Sequence, residues 1–384
     1  MKTCHAKQSL KSLVVIAGEI SGDTHGAELL RALPGTDGWS VSGLGGPKMA
    51  EWTGTIENWL DEAAVLGLLE VLKKYGYFRE KMEETVAHIH EVKPDGVLFI
   101  DYPGFNLRLA KRLREEGYKG KLIYYISPQV WAWKKGRIKV MARLLDLMIC
   151  IFPFEKQLYE KSGLPTEFAG HPLIDEMAEV RDEGIVRDSN LVAMLPGSRE
   201  REIAKLFPPM LEAAAELLES HPSLMFATTG ATRTLTERLR EMVAAAGLSD
   251  AFSVGESTSH HIMQQAGVGV VASGTATLEA ACLGLPYCLT YKVAWLTAQV
   301  ARRVMSVDYL GIVNVMADRE VVKELLQNDA NGAAIAAELN RLLEDTAARE
   351  AIRREIAEVV AMLGGGGAHE KAAQSVAAAL EVTA

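Results

Sequence analysis

Residues Pro94 to Trp133 read PDGVLFIDYPGFNLRLAKRLREEGYKGKLIYYISPQVWAW. Gly96 to Ile100 is a short apolar run, the length of a strand buried on both faces of a parallel sheet. Asp101 follows at once, and Pro103 with Gly104 reads as a closing turn. A carboxylate at the carboxyl end of such a strand stands where open α/β sheets bind their ligands. The same residue has a plainer reading as a cap or turn aspartate. Asn106 reads as the cap of a helix carrying Leu107, Leu109, Ala110 and Leu113 on its apolar face. Leu122 to Ile126 is the next strand and ends at Ser127-Pro128. Two successive strands therefore bring Asp101 and the run Ser127, Gln129, Trp131 and Trp133 to one edge.

Toward the N-terminus the same unit repeats. Leu13 to Ala17 reads as a strand, followed by GEISGDTHG (18–26) as a glycine-punctuated turn and a helix from Ala27 to Ala32. Its candidate ligand contacts are Gly18, Glu19, Ser21, Gly22 and Asp23, with capping the ordinary role for Ser21 and Asp23. The spacing is not G-x-G-x-x-G, so no dinucleotide fingerprint is read. Val41 and Gly43 to Gly46 form a second strand–turn–helix junction, which makes a doubly wound sheet the expected architecture. Ala63 to Tyr77 carries Val65, Leu66, Leu68, Leu69 and Leu72 beside Lys73, Lys74, Arg79 and Lys81. That pattern fits a core helix, and equally a stretch lying in a membrane interface or holding acyl chains. His88 and His90 are two apart on the expected Met82 to Val92 helix and cannot share a face, so they are no metal pair. Leu145 to Phe152 is read as a further strand.

Ala169-Gly-His-Pro-Leu-Ile-Asp175 reads as a crossing between domains. The expected division is residues 1–172 and residues 173–349, with the C-terminal helix, about 350–384, a candidate to rejoin the first. In the second domain Leu191 to Leu195 is a strand that runs into Pro196-Gly-Ser-Arg-Glu-Arg-Glu202. A glycine, a hydroxyl and an arginine at a helix start suit phosphate, with backbone amides and a bidentate cation on its oxygens. Gly197, Ser198, Arg199 and Glu202 are the candidates, and the Walker lysine is lacking. Val268 to Ala272 runs into Ser273-Gly-Thr-Ala-Thr-Leu-Glu279 in the same manner, with Leu224 to Thr228 a strand between them. Ser273, Gly274 and Thr275 form a second cradle, and Glu279 is placed to accept bonds from ribose hydroxyls. Together the two cradles point to a nucleotide diphosphate. The C-terminal third reads as helical, from Trp295 to Val304 onward, with Asn314 in GIVNVMADRE and Gly364 to Gly367 breaking before an alanine-rich final helix.

The 384 residues are 48% hydrophobic and 24% charged, enough for two full cores. The net charge of −9 argues against nucleic acid. Between Arg108 and Arg143, however, eleven Lys or Arg face only two acids, a local patch suited to an anionic ligand or surface. Four cysteines without a CxxC pair suit a reducing compartment. The first apolar run is too short for a signal peptide and none is long enough to span a bilayer. The chain contains no D-x-D, no H-E-x-x-H and no Cys/His cluster. A departing diphosphate would have to be stabilised without a carboxylate-held metal.

The chain resembles the lipid-A-disaccharide synthase family of bacterial glycosyltransferases. The resemblance rests on GEISGDTHG (18–26), AAVLGLLEVL (63–72), IDYPGFN (100–106), YYISPQVWAWKKGRI (124–138), FPFE (152–155), GHPLID (170–175), LPGSRERE (195–202), SGTATLE (273–279) and the segment around Asn314 and Arg319-Glu320. Val313 stands where a proline commonly precedes the asparagine, and Gly45-Gly46-Pro47 replaces the Ala-Gly-Pro type turn of some members. The resemblance implies a GT-B type α/β fold, two doubly wound parallel-sheet domains with the active site in the cleft between them. It implies an inverting hexosyltransferase moving 2,3-diacylglucosamine from UDP-2,3-diacylglucosamine to 2,3-diacylglucosamine 1-phosphate, giving the β-1,6 lipid A disaccharide 1-phosphate and UDP. In that scheme Asp101 is the base, the first domain takes acceptor and lipid, and the second takes the UDP-sugar through the two cradles and Asn314. The loop from Gly18 to Asp23 and Ser127, Gln129, Trp131 and Trp133 lie near the cleft. Val65, Leu66, Leu68, Leu69 and Leu72 meet acyl chains or membrane. No cofactor is expected and catalysis is metal-independent. The partners are the two lipid-linked sugars and membrane surface lipids on the cytoplasmic face of the inner membrane, without nucleic acid. A homodimer is left open. Rival readings are an undecaprenyl-acceptor glycosyltransferase, a UDP-N-acetylglucosamine epimerase, or a non-catalytic peripheral lipid-binding protein.

Overall fold

A computed structural model of the chain describes residues 10–63, 75–133, 136–255, 258–293 and 307–381. The leucine-rich run from Val65 to Leu72 and the stretch from Trp295 to Val304 lie outside these residues. The chain divides into two compact units, Met1–Pro172 with Leu363–Ala384, and Leu173–Met362. The C-terminal return begins at Leu363 rather than near 350. The Thr346–Ala361 helix stays with the second unit, where Ile352, Ile356 and Val359 are buried.

The first unit is a parallel sheet of β1 (Lys11–Ala17), β2 (Trp39–Gly45), β3 (Ile56–Asn58), β4 (Gly96–Ile100), β5 (Lys121–Tyr125), β6 (Leu147–Cys150) and β7 (Thr166–Phe168). Their spatial order is β3-β2-β1-β4-β5-β6-β7. The direction of winding reverses between β1 and β4, and that is where a doubly wound sheet opens a crevice at its carboxyl edge. β4 is buried at all five positions, so its unbroken apolar run is what two covered faces demand.

Two local readings of the sequence change. The Gly18–Gly26 segment is mostly helix, running Ile20–Arg31. Its glycines serve packing, not a turn: a Cβ on Gly26 would stand 2.6 Å from Met49 Sδ. Asp23, one turn in, is buried and holds the neighbouring Pro47–Trp52 helix. Its carboxylate accepts from the amides of Gly46 at 2.8 Å and of Lys48 and Met49 at 3.0 Å. The second change concerns Asn106. The helix after β4 starts at Pro103, with proline in its first turn, where a missing N–H does no harm. Asn106 lies inside it and caps nothing. It is 0% exposed, and its Nδ2 faces the carbonyls of Ile16 at 3.4 Å, Ile100 at 3.3 Å and Asp101 at 2.8 Å. One amide thus closes the point where β1 and β4 part.

The second unit repeats the plan with β8 (Asp188–Leu195), β9 (Met225–Thr229), β10 (Phe252–Gly255), β11 (Ala266–Ala272), β12 (Tyr287–Tyr291) and β13 (Glu324–Leu326). The order is β10-β9-β8-β11-β12-β13, all parallel where paired, with the reversal between β8 and β11. Among the described residues no helix is long and apolar enough to cross a membrane.

Replacing Asn106 with Ala removes a two-hydrogen donor from buried carbonyls, with Asp101 O keeping the Tyr124 hydroxyl, and each bond lost costs about 1 kcal/mol or more. The Asn106→Ala variant is expected to unfold in urea at a lower midpoint, losing about 2–3 kcal/mol. An unchanged midpoint would show that the amide does not hold the strand ends.

Candidate active site

Asp101 and Tyr102, directly after β4, both adopt left-handed backbone, with φ of 43° and 48°. For residues with a Cβ this costs roughly 1–2 kcal/mol each, somewhat less for aspartate. The surroundings fix it. The Asp101 amide donates to Tyr125 O at 3.0 Å, and its carbonyl accepts from Asn106 Nδ2 at 2.8 Å and from the buried Tyr124 hydroxyl at 2.5 Å. Each such bond returns about 0.5–1.5 kcal/mol, so the turn is roughly balanced. The Asp101 carboxyl is half-buried and titrates at about 6. Burial raises it most, the charge of Glu19 raises it further, and a bond from the Tyr102 amide opposes both. Glu19 stands at the other half of the reversal, between β1 and the Ile20–Arg31 helix, and partial burial raises its own carboxyl. A carboxylate held near 6 is ionised at neutral pH and still basic enough to take a proton in a transition state.

The other residues expected at this edge divide. Ser21 is exposed in the first turn of its helix, whereas Gly18 and Gly22 are buried. Asp23 is the buried cap already described. Ser127 is buried with its Oγ 2.5 Å from the Tyr159 hydroxyl. Trp131 is buried too, and its Nε1 donates to Glu155 Oε1 at 2.9 Å. Glu155 is fully buried, and desolvation outweighs the bonds that favour its ionised form, pushing it up to about 8. Trp131 is therefore a bracket between the Val130–Trp133 and Pro153–Glu160 helices. Gln129 is exposed, and the side chain of Trp133 lies outside the description. The structure brings Asp101 and Glu19 together and turns Asp23, Ser127 and Trp131 to framework duty.

In the second unit the ends of β8, β9 and β11 surround a cavity of about 560 Å³. Gly197, Ser198, Arg199, Glu202, Ser273, Gly274, Thr275 and Glu279 all line it. Gly197 has φ 109°, and a Cβ there would stand 2.4 Å from Glu202 Oε2. That approach lets Glu202 Oε2 accept from the amides of Ser198 at 3.1 Å and Arg199 at 3.3 Å, while Arg199 Nη1 donates to Oε1 at 3.0 Å. The opening of the Glu200–Ser220 helix thus already holds a carboxylate of its own, a demonstration that the spot suits anions. The Arg199–Glu202 pair is exposed and worth at most about 1 kcal/mol, so a stronger anion can displace it. Across the cavity Ser273 and Gly274 lead into the Thr275–Cys282 helix. Glu279, one turn further, lies 3.2 Å from His260 Nε2.

Sequence reasoning missed Thr229, Gly230, Ser259 and His260, which also line this cavity. The first two had a readable signal, since β9 ends in a hydroxyl and a glycine as β8 and β11 do. His260 had none. Asn314 does not line the cavity. It is fully buried and joins the Ile312–Ala317 helix to β13: Nδ2 donates to Val322 O at 2.8 Å and Glu324 Oε1 at 2.9 Å, and Oδ1 accepts from the amides of Val321 and Val322.

Two doubly wound units, each with its polar loops at the winding reversal, define the GT-B class of fold. Solved structures of that fold match at low identity. S. aureus MnaA in a UDP co-structure aligns with TM-score 0.62 and 14% identity over 97% of this chain and 98% of that one. The UDP-GlcNAc 2-epimerase from Neisseria meningitidis bound to UDP-GlcNAc gives 0.59 and 12%, over 96% and 100%. These likenesses show the fold alone. Sequence relatives are more specific. The Lipid-A-disaccharide synthase of Geobacter sulfurreducens is 42% identical over 94% of this chain and 95% of its own length. That of Trichlorobacter lovleyi is 38% identical over 97% and 98%. A family profile described as Lipid-A-disaccharide synthetase matches residues 13–379, and the chain belongs to that family.

Three outcomes are expected. The acid limb of kcat/KM should fall near pH 6, because below it Asp101 carries the proton it would have to accept. Glu19→Gln removes the neighbouring charge, lowers the Asp101 pKa and moves that limb to lower pH; a pH–rate series that leaves it in place would break the link. Glu202→Ala should lower stability in ligand-free denaturation by about 1 kcal/mol, the usual effect of losing a helix cap.

Proposed function

We propose that the protein is an inverting hexosyltransferase that joins two acylated glucosamines. The donor is UDP-2,3-diacylglucosamine and the acceptor is 2,3-diacylglucosamine 1-phosphate. The acceptor 6-hydroxyl attacks the anomeric carbon as its proton passes to Asp101. The bond from that carbon to the diphosphate breaks, and UDP leaves with the electron pair. The products are the β-1,6 disaccharide 1-phosphate and UDP.

The carrying observation is the Asp101 carboxyl, set in a braced left-handed turn at a winding reversal and poised near pH 6. The second unit supplies what a departing diphosphate needs. Amides at the start of the Glu200–Ser220 and Thr275–Cys282 helices, with Arg199, meet its oxygens, and Glu279 takes the ribose. These neutralise charge in place of a metal, in keeping with the lack of a D-x-D sequence. The first unit takes the acceptor. On this reading the protein acts on lipid-linked sugars and is held peripherally on the cytoplasmic face of the inner membrane.

The test is turnover of both substrates in detergent micelles with EDTA present. Disaccharide 1-phosphate and UDP are the expected products; an isomerised donor formed without acceptor would indicate an epimerase instead. Asp101→Asn should lower kcat by a factor of about 10²–10⁴ with the fold intact. Arg199→Ala should weaken UDP binding by about tenfold or more, as loss of a charge-assisted bond does. Normal turnover by Asp101→Asn would remove the base assignment.

A further inference from the structure

A second cavity in the first unit, about 510 Å³, lies along the Tyr75–Val92 and Pro103–Glu115 helices. Its floor is apolar, made by Phe78, Met82, Tyr102 and Phe105. Its rim is basic, but the cations differ. Arg112 is shared between Glu83 and Glu116, and Lys111 pairs with Glu115 at 3.5 Å. Arg79 and Arg108, one from each helix, have no carboxylate partner among the described residues. Both are exposed at the mouth of the same cavity. Tyr102 belongs to the cavity wall and also to the strained turn that carries Asp101. Whatever fills the cavity lies one residue from the proposed base.

This combination selects a ligand chemistry. A hydrocarbon chain fits the floor, where its burial is favourable in proportion to the area removed from water. Two guanidinium groups without a carboxylate partner among the described residues suit a phosphate monoester, whose oxygens match their paired donors. A nucleotide offers no chain for the floor, and a neutral lipid offers no anion for the rim. We propose that this groove is a subsite for an acylated sugar phosphate, with an acyl chain along Phe78, Met82 and Phe105 and the phosphate on Arg79 and Arg108. The ligand is then the acceptor, an assignment that rests on the function proposed above. The anion is the acceptor's own phosphate and not a membrane headgroup.

Gly104 gives an independent handle. It is exposed in the first turn of its helix and lines the groove, and a Cβ there would meet nothing within 4 Å. Gly104→Leu is therefore expected to fill part of the groove with the fold retained.

The experiment uses the full chain in neutral detergent micelles. Acceptor KM is measured for 2,3-diacylglucosamine 1-phosphate and for its dephosphorylated analogue. The Arg79→Ala/Arg108→Ala variant should raise KM for the phosphorylated acceptor about tenfold or more and erase the preference over the analogue, with donor KM held within about twofold. Equal effects on the two acceptors, or no effect, would overturn the phosphate assignment. Gly104→Leu should raise KM more for a long-chain acceptor than for a short-chain one; equal rises would overturn the acyl assignment. Sedimentation with phosphatidylglycerol vesicles should be the same for wild type and the double arginine variant. Lost sedimentation with an unchanged micellar KM would give the cations to the membrane and sink the proposal. Calorimetric titration with decyl phosphate separates the two readings. If wild type makes no disaccharide yet binds decyl phosphate in an arginine-dependent manner, the proposed function fails and the subsite stands. If turnover is normal and no such binding occurs, the subsite fails alone.

Discussion

The ends of β1 and β4 meet on one buried side-chain amide. Where β1 and β4 turn away from each other, their terminal carbonyls lose the neighbour that a continuous ladder would supply. A buried carbonyl without a donor is expensive, and water is shut out here. Asn106 answers this with a single Nδ2 pointed at Ile16, Ile100 and Asp101. The same amide also holds the Asp101 backbone in a conformation that few L residues adopt freely. Strand ends, turn geometry and the position of the carboxylate are thus one problem with one solution.

The two winding reversals handle negative charge in opposite ways. The first gathers carboxyls, Glu19 near Asp101, in a half-dry setting, so that burial and mutual repulsion both favour a bound proton. The second gathers donors, and Glu202 rests on the amides of Ser198 and Arg199 and on the Arg199 guanidinium. One edge is built to receive a proton and the other to receive an anion. The division follows from residue type at four strand ends, since both sheets have the same order of winding around their centres.

Much of this was legible in the sequence because burial on two faces leaves an unmistakable trace. The runs at Leu13, Gly96, Leu122, Leu191 and Val268 each read as strands, and each is one. The residues at their ends could be read for the same reason: a polar group just after an apolar run has few places to go. Residue roles one step further out were not legible. Gly22 and Gly26 look like turn formers but sit in a helix, because glycine also permits close packing and the sequence does not say which use is made. Asn106 and Asn314 look like a cap and a ligand contact, and both are buried clasps, the first on the ends of β1 and β4 and the second between its helix and the start of β13. Asparagine can do all of these, and its choice depends on which carbonyls the fold leaves bare. That Arg79 and Arg108 have no carboxylate partner among the described residues was invisible for a like reason, since the acids that neutralise Arg112 come partly from another helix.

The return of the chain to the first unit sets an order of events during synthesis. The Ala368–Glu381 helix buries Ala372, Ala373, Val376 and Leu380, and Lys11 on β1 pairs with Glu381 at 2.8 Å. The amide of His171 reaches forward to the carbonyl of Leu363 at 2.9 Å. The first unit, although it emerges from the ribosome first, is short of a covering helix until those last residues have been made. The second unit is continuous in sequence and meets no such delay. The half bearing the proposed base is therefore the last to close, and a nascent chain stalled before Ala368 presents an uncovered face of its sheet to whatever chaperone attends it.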